Sequence, residues 1–468
     1  MAFSLRVRRA VLGATLMAHL LQPLHGAAQI VADPAAAQRP TVDAAPNGVP
    51  LVHIVAPSAA GVSRNLYQQF NVDPRGLVLN NSANPVATQL AGFVPGNAQL
   101  GQPARVILNE VTGSTASMLR GYSEIAGARA ELVVANPNGI TCAGCGFINA
   151  SRGVLTTGVP VIGALGTLDG FDVRRGLVSF EGGGLNASNT DQLDVLARAV
   201  SANAQVWAKT LNVVTGANRI DYATLGATPI AGEGAKSAFA LDVAAIGGMY
   251  ADRIRLVGTE AGLGVNMRGV VDAMSGSLTL TTEGRLVQAG RISSAEALEV
   301  RAAGGIAHTG TTYGQREVSL ASASRIENTG VVAAGTALAI DATTLASTGT
   351  LAAGVETTGT LGPSGTLRID VTGTAALAGS QLASGGDLAV AAADLELSGA
   401  QVFAGRDASF TATTQNIDAR SATVDAGREL RLDAARVIRN ADGLLRGGTL
   451  SLDADALDNR RGRIDQTG

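Results

Sequence analysis

From about residue 274 onward the chain repeats one pattern: a small turn residue, then a run alternating between polar and apolar side chains. It occurs as GSLTL at 276–280, AEALEV at 295–300, QREVSL at 315–320 and GTALAI at 335–340. It continues as GTLRI at 365–369, GDLAV at 386–390, GRDASF at 405–410, GRELRL at 427–432 and GTLSL at 448–452. From Gly365 the starting glycines are 21, 19, 22 and 21 residues apart. The step from Gly335 to Gly365 is longer, and 356–363 reads as an inserted loop. Between the runs lies a second theme, IENTG at 326–330, LASTG at 345–349 and LDNRRG at 457–462. Period-2 alternation marks strands with one buried face. A repeat near 20 residues with two or three short strands is the arithmetic of a parallel β-helix. About twenty rungs stacked at roughly 4.8 Å would give a rod on the order of 100 Å long. A leucine-rich horseshoe has a similar period, but the Asn or Cys it needs at a fixed place after the leucine run is missing.

Composition fits this reading. The 468 residues include 59 glycines, and 46% are hydrophobic but only 3% aromatic. A thin core walled by three short sheets has little room for large rings. The hydrophobic share excludes a disordered chain. The net charge of -3, with lysine only at Lys209 and Lys236, argues against a nucleic-acid partner.

The N-terminus carries Arg6, Arg8 and Arg9, then an apolar stretch over 10–21, then Gly26, Ala27 and Ala28. This order predicts a signal peptide over 1–28, read by the Sec export machinery. The stretch is too short to span a bilayer, which takes about 20 apolar residues. The mature chain is therefore expected to be exported and soluble. Residues 29–48 read as a leader segment.

The stretch 131–152 is a strand, a tight turn and a second strand. Pro137 fixes φ, Gly139 can take positive φ, and Asn136 and Asn138 can bond their own backbone. The residues alone allow a well-made turn with no partner. Cys142 and Cys145 form a lone Cys-x-x-Cys. A zinc site needs about four ligands, and His53 and His308 are the only histidines beyond the signal, so no metal is expected. A local disulfide is the leading reading in an oxidising compartment, with free thiols and a redox role as alternatives. Asn149 and Asn186 each open an Asn-Ala-Ser pattern, the short acceptor signal for N-glycosylation, which also recurs by chance. Gly182–Gly184 reads as a turn and His308 as a surface residue. Over 190–214, Leu193, Leu196, Val200, Val206, Trp207 and Leu211 fit a helical face, whereas Val206, Ala208 and Thr210 fit a strand.

Six blocks between Val49 and Asp221 resemble the secretion domain of two-partner-secretion exoproteins, the filamentous haemagglutinin family: GVSRNLYQQFNV at 61–72, LNNS at 79–82, VILNEV at 106–111, VANPNGI at 134–140, GFIN at 146–149 and LNVVTG at 211–216. The resemblance implies an all-β, right-handed parallel β-helix whose secretion domain is capped at its N-terminal end. It also makes 190–214 strands rather than helix. The expected layout is a secretion domain over 49–270 and haemagglutinin-type repeats over 271–468. The family carries two Asn-Pro-Asn motifs. The second falls on Asn136, Pro137, Asn138, Gly139 and Ile140; at the place of the first stands Gly96-Asn97-Ala98-Gln99-Leu100, without the proline. The resemblance implies recognition of Asn136 to Ile140, together with Asn109, by an outer-membrane transporter reached through the periplasm of a Gram-negative bacterium. It also supports a structural role for the cysteine pair.

The expected product is a secreted or cell-surface exoprotein, not an enzyme, without cofactor, whose rod serves adhesion or haemagglutination through host-cell or bacterial receptors. The alternative is the N-terminal part of a contact-dependent inhibition toxin. A polysaccharide-cleaving β-helix ranks third; it would need two carboxylates near an Arg in an aromatic-lined groove. The repeats reach Gly468 without a cap, which suggests a truncated product.

Overall fold

The computed structural model describes residues 29–468, so the expected signal peptide lies outside the described residues. Strands wind into a parallel β-helix of about 17 turns with three faces. At roughly 4.8 Å per turn this is a rod about 80 Å long. It is shorter than the repeat arithmetic suggests because parts of the chain leave the helix. These are the hairpin Val86–Thr88 and Gly92–Val94, a side sheet of Val159–Ile162, Leu168–Val173, Asn218–Asp221 and Ala227–Pro229, and the loop after Thr350–Ala353.

Alternation builds the core. In Glu429–Ala434 the residues Leu430, Leu432 and Ala434 are buried and the residues between them face outward. Successive turns hold the same register, so Leu278, Leu298, Val318, Leu338, Leu367 and Leu388 form one inner column. Each fully buried aliphatic side chain contributes about 2 kcal/mol by leaving water.

The Thr-Gly theme marks a corner. Gly269, Gly290, Gly310, Gly330 and Gly349 stack there, and a Cβ on any of them would collide with the carbonyl oxygen of the glycine one turn before. Glycine is needed at this corner for close backbone approach, not for left-handed φ.

Residues 29–48 are not a leader separate from the fold. Ile30–Ala32 pairs antiparallel with Val62–Phe70, and Thr41–Ala44 pairs antiparallel with Pro50–His53. These strands cover the first turn, whose open edge would otherwise invite pairing with another chain. The segment 190–214 is strand, within Leu185–Ala197, Ala199–Ala202 and Gln205–Thr215. Its apparent helical face is split: Leu193 enters the main core, whereas Leu196 packs on the opposite side, beneath the side sheet.

His308 is buried, not on the surface, at 2% exposure. It stands in an inward corner column between Gln288 and Asn328. Its Nδ1 lies 2.7 Å from Asn328 Oδ1 and its Nε2 3.0 Å from Thr312 Oγ1. Asn328 Nδ2 in turn donates to Ser347 Oγ at 3.0 Å. Burial lowers the His308 pKa, partly offset by the bond to Asn328.

Candidate functional site

The Asn-Pro-Asn turn joins strand Ala130–Ala135 to strand Ile140–Cys142. Asn136 is fully buried and organises it. Its Oδ1 accepts from Asn138 N at 3.0 Å, and its carbonyl accepts from Gly139 N at 3.1 Å. Its Nδ2 donates to Thr115 O and Ser117 Oγ, both at 3.0 Å, on the preceding turn. Asn138 Nδ2 donates to Gly113 O at 2.8 Å. Gly139 has φ +115°, which a side chain would oppose. Ile140 enters the core at 1% exposure. Within the motif only Pro137 and Asn138 are half-buried, and the remainder is buried.

Asn97, at the place of the first motif, closes the same turn without proline. Its Oδ1 accepts from Gln99 N at 3.0 Å and its carbonyl accepts from Leu100 N at 3.1 Å. Its Nδ2 reaches Ile54 O at 2.8 Å and Asn80 O at 3.0 Å. The usable sequence signal is an Asn followed within a turn by an aliphatic residue, Leu100 three positions after Asn97 and Ile140 four positions after Asn136. Asn109 is also fully buried: it accepts from Tyr67 Oη at 3.1 Å and donates to Val133 O at 3.2 Å. Asn136 to Ile140 therefore form one unit, and Asn109 is held by other partners. Cys142 and Cys145 are disulfide-bonded, with Cα atoms 5.4 Å apart, directly after this turn.

A charged cluster that spacing could not reveal ties the side sheet to the helix. Tyr222 donates to Glu131 and lies under the Arg152 guanidinium, whose carbon is 4.3 Å from the ring centroid. Arg152 Nε donates to Asp194 Oδ2 at 2.5 Å, and Asp194 also accepts from Asn212 Nδ2 at 2.8 Å. Burial opposes the Arg152 charge, but Asp194 above all, with Tyr222 and Glu131, holds its pKa above the ordinary value. A second clasp joins Arg198 to Glu260 through 2.9 and 3.1 Å bonds, while Arg198 Nη1 holds Glu233 O at 2.6 Å.

A groove of about 830 Å³ follows one corner of the repeats, with Glu283, Arg301, Asp341 and Asp370 among small Ala, Ser and Thr residues. It holds no aromatic side chain. Arg301 is paired with Glu299 and Asp370 with Arg368, each at 2.5 Å.

Comparisons agree with this architecture. The TPS secretion domain model matches residues 28–288, and the haemagglutinin repeat model matches 273–362, 364–417 and 403–468. A Yersinia pestis protein called toxin CdiA is 42% identical over 451 residues, covering 95% of this chain and 14% of that protein. A Burkholderia pseudomallei protein called tRNA nuclease CdiA-2 is 41% identical over 437 residues, covering 93% of this chain and 14% of that protein. The chain thus spans about one seventh of the length of these relatives. A crystal structure of the filamentous haemagglutinin secretion domain is 34% identical and superposes with a TM-score of 0.53, covering 67% of this chain and 96% of that one. The capped β-helix, the buried Asn-Pro-Asn turn and these matches place the chain in the two-partner-secretion exoprotein family, whose members are secreted or cell-surface proteins of Gram-negative bacteria.

Proposed function

We propose that this chain is the secretion domain and first stalk segment of a contact-dependent inhibition exoprotein, exported by an outer-membrane transporter partner. The observation that carries this is the secretion-domain match running into relatives named CdiA across 95% of the chain. In this reading the described residues do no chemistry themselves, and the toxic activities in the relatives' names belong to regions beyond the matched part.

Burial bears on how the transporter reads the chain. Asn136, Ile140 and Asn109 are sealed inside the fold, so a partner can reach them only before the chain folds. The motif would be read on the extended chain in the periplasm and then close its turn outside. Each new turn templates on the last, so rung addition would bias transport outward.

A second role, adhesion or haemagglutination by the rod, is supported by the haemagglutinin repeat match. A polysaccharide-cleaving role gains nothing from the groove at Arg301, which lacks aromatic sugar platforms and whose one cation, Arg301, is already paired with Glu299.

The test is co-expression with the candidate transporter and assay of the medium. Export should require the transporter, and Asn136→Ala with Asn138→Ala should cut it at least tenfold, with the chain left in the periplasm. Equal export without any transporter would overturn the proposal. A proline placed in mid-rod strands should slow export; an unchanged rate would remove the rung-addition argument.

A further inference from the structure

We propose that one face of the rod is a contact between two copies of this chain, packed antiparallel with Ala352 on the two-fold axis. The face is built from nine strands stacked in parallel from Val270–Ala273 to Leu444–Gly447, and no bulge breaks their register. The second and fourth residues of each strand turn into the core, so the first and third form two outward columns.

The middle of this face carries no charge. The strands Thr311–Gly314, Val331–Ala334, Thr350–Ala353, Gln381–Ser384 and Gln401–Ala404 contain no Asp, Glu, Lys or Arg. Val331 and Phe403 are exposed there, at 40% and 46%. Elsewhere the repeats cover themselves with ion pairs, such as Arg406 with Asp387 and Arg428 with Asp407. A neutral, partly apolar strip with charges at its rim has the anatomy of a protein contact.

The order of the charges selects a second copy as the occupant. In the column of third residues, Asp272 lies four turns before Ala352 and Arg446 four turns after it. Tyr313 lies two turns before and Phe403 two turns after. A two-fold axis through Ala352, across the rod, sets each residue against the one equally far on the other side. Asp272 then meets Arg446 of the second copy, and Tyr313 meets Phe403. In the column of first residues, Val270 meets Leu444, and Arg291 meets Thr423 beside Asp425. Each contact occurs twice. A slip of one turn sets Asp272 against Asp425 or Asp465, carboxylate on carboxylate, so the neighbouring registers are repelled. A parallel pair, with its axis along the rod, sets Asp272 against Val270 and Arg446 against Leu444 and matches no charges.

Among the described residues Asp272 and Arg291 have no ion pair within the chain, and Asp272 accepts from Ser293 Oγ at 2.9 Å. Arg446 Nη1 is 3.3 Å from Asp425 Oδ2. Association extends that contact into a row of alternating sign: Asp272 of one copy, Arg446 and Asp425 of the other, then Arg291 of the first. Tyr313 Oη donates to Val355 O at 3.1 Å, so the ring loses little freedom on contact. Nine strands span about 38 Å along the rod. A strip of that length and about 14 Å wide buries about 1,000 Å² over the two copies, the lower end for a specific contact. The pair is therefore reversible, with an expected Kd of about 10 μM.

The experiment is sedimentation of the secreted chain over a range of concentrations. A monomer–dimer equilibrium should appear and weaken with salt. Asp272→Arg and Arg446→Asp should each weaken dimerisation at least tenfold. An equimolar mixture of the two variants should dimerise like the parent, because each chain offers the charge the other lacks. Within one chain the two positions are eight turns apart, so this rescue can come only from contact between copies. Thr350→Cys, on the axis, should be joined into a covalent dimer by a short bis-maleimide, and Thr411→Cys, on another face, should not; the native cysteines are held in their disulfide. A parent chain still monomeric at about 100 μM overturns the proposal. So do single reversals that leave dimerisation unchanged, and a mixture that stays monomeric.

Discussion

Asn97 and Asn136 close the same turn with the same atoms, although only Asn136 is followed by proline. In each, the side-chain oxygen accepts the N–H two residues on, the backbone carbonyl accepts the N–H three residues on, and the amide nitrogen reaches back to another turn. Both asparagines are almost fully buried. Proline is therefore an aid to the turn and not its cause.

Asn136→Ala removes two donor contacts and leaves Thr115 O and Ser117 Oγ without a partner. Losing a buried group of this kind costs about 3 kcal/mol. Asn97→Ala should cost a similar amount, and Pro137→Ala less than about 1 kcal/mol. Urea unfolding of the three variants against the parent chain checks this. Equal losses for Pro137→Ala and Asn136→Ala would show that proline, not asparagine, holds the turn.

Gly310→Ala pushes a methyl group into the Ala289–Gly290 backbone of the preceding turn, where the nearest atoms are all main chain and nothing flexible can yield. Overpacking of this kind costs about 3 kcal/mol. Gly359, in the inserted loop, has φ +85° and open space around it. Gly359→Ala should cost only about 1 kcal/mol, the strain of a left-handed residue. Thermal melts that rank the two in reverse order would refute the packing role of the corner column.

His308 gives the rod a pH dependence. Its native pKa lies below the 6.5 of the free side chain because burial disfavours the charged form. The unfolded chain therefore binds the proton more tightly. The contribution of the neutral buried ring is complete above about pH 6.5 and falls as pH drops through that value toward the native one. His308→Asn continues the polar column and should flatten this slope. Urea midpoints measured from pH 7.5 to 5 test it: parallel curves for parent and variant would contradict the assignment.

The Arg198 and Glu260 clasp pins the excursion that carries Lys236, since Arg198 also binds Glu233 O. The hydrogen bond from Arg198, with its charge, holds the Glu260 pKa below the ordinary carboxylate value. Glu260→Ala leaves Arg198 buried and unpaired, which favours local opening of the segment. Cleavage after Lys236 by a lysine-specific protease should accelerate at least tenfold, with cleavage after Lys209 in the helix little changed. Unaltered cleavage at Lys236 would mean that the loop is held by other contacts.

Much of this fold was legible along the chain. Leu430 and Leu432 alternate with charged neighbours, and a strand with one wet face is the only period-2 answer. Gly365, Gly386, Gly405, Gly427 and Gly448 set the length of a turn. The insertion at 356–363 was visible as a broken step between Gly335 and Gly365. The turn at Asn136 to Gly139 was legible because each residue's preference acts within four positions. The site was legible less fully. Asn97 lacked the expected proline, and the inward placement of Asn136 and Asn109 depends on which face of the rod each strand turns inward.

Sequence alone thus determined the period, the corners and the thin aliphatic core, because alternation and turn chemistry act over a few residues. Only the tertiary structure decided what lies across turns. Stacking carried His308 into a column with Gln288 and Asn328, folded 29–48 back over the first turn, and gathered Glu131, Arg152, Asp194 and Tyr222 into one cluster. These partners are separated by one or more turns of unequal length. Their register is fixed only when a whole turn docks on the one before it.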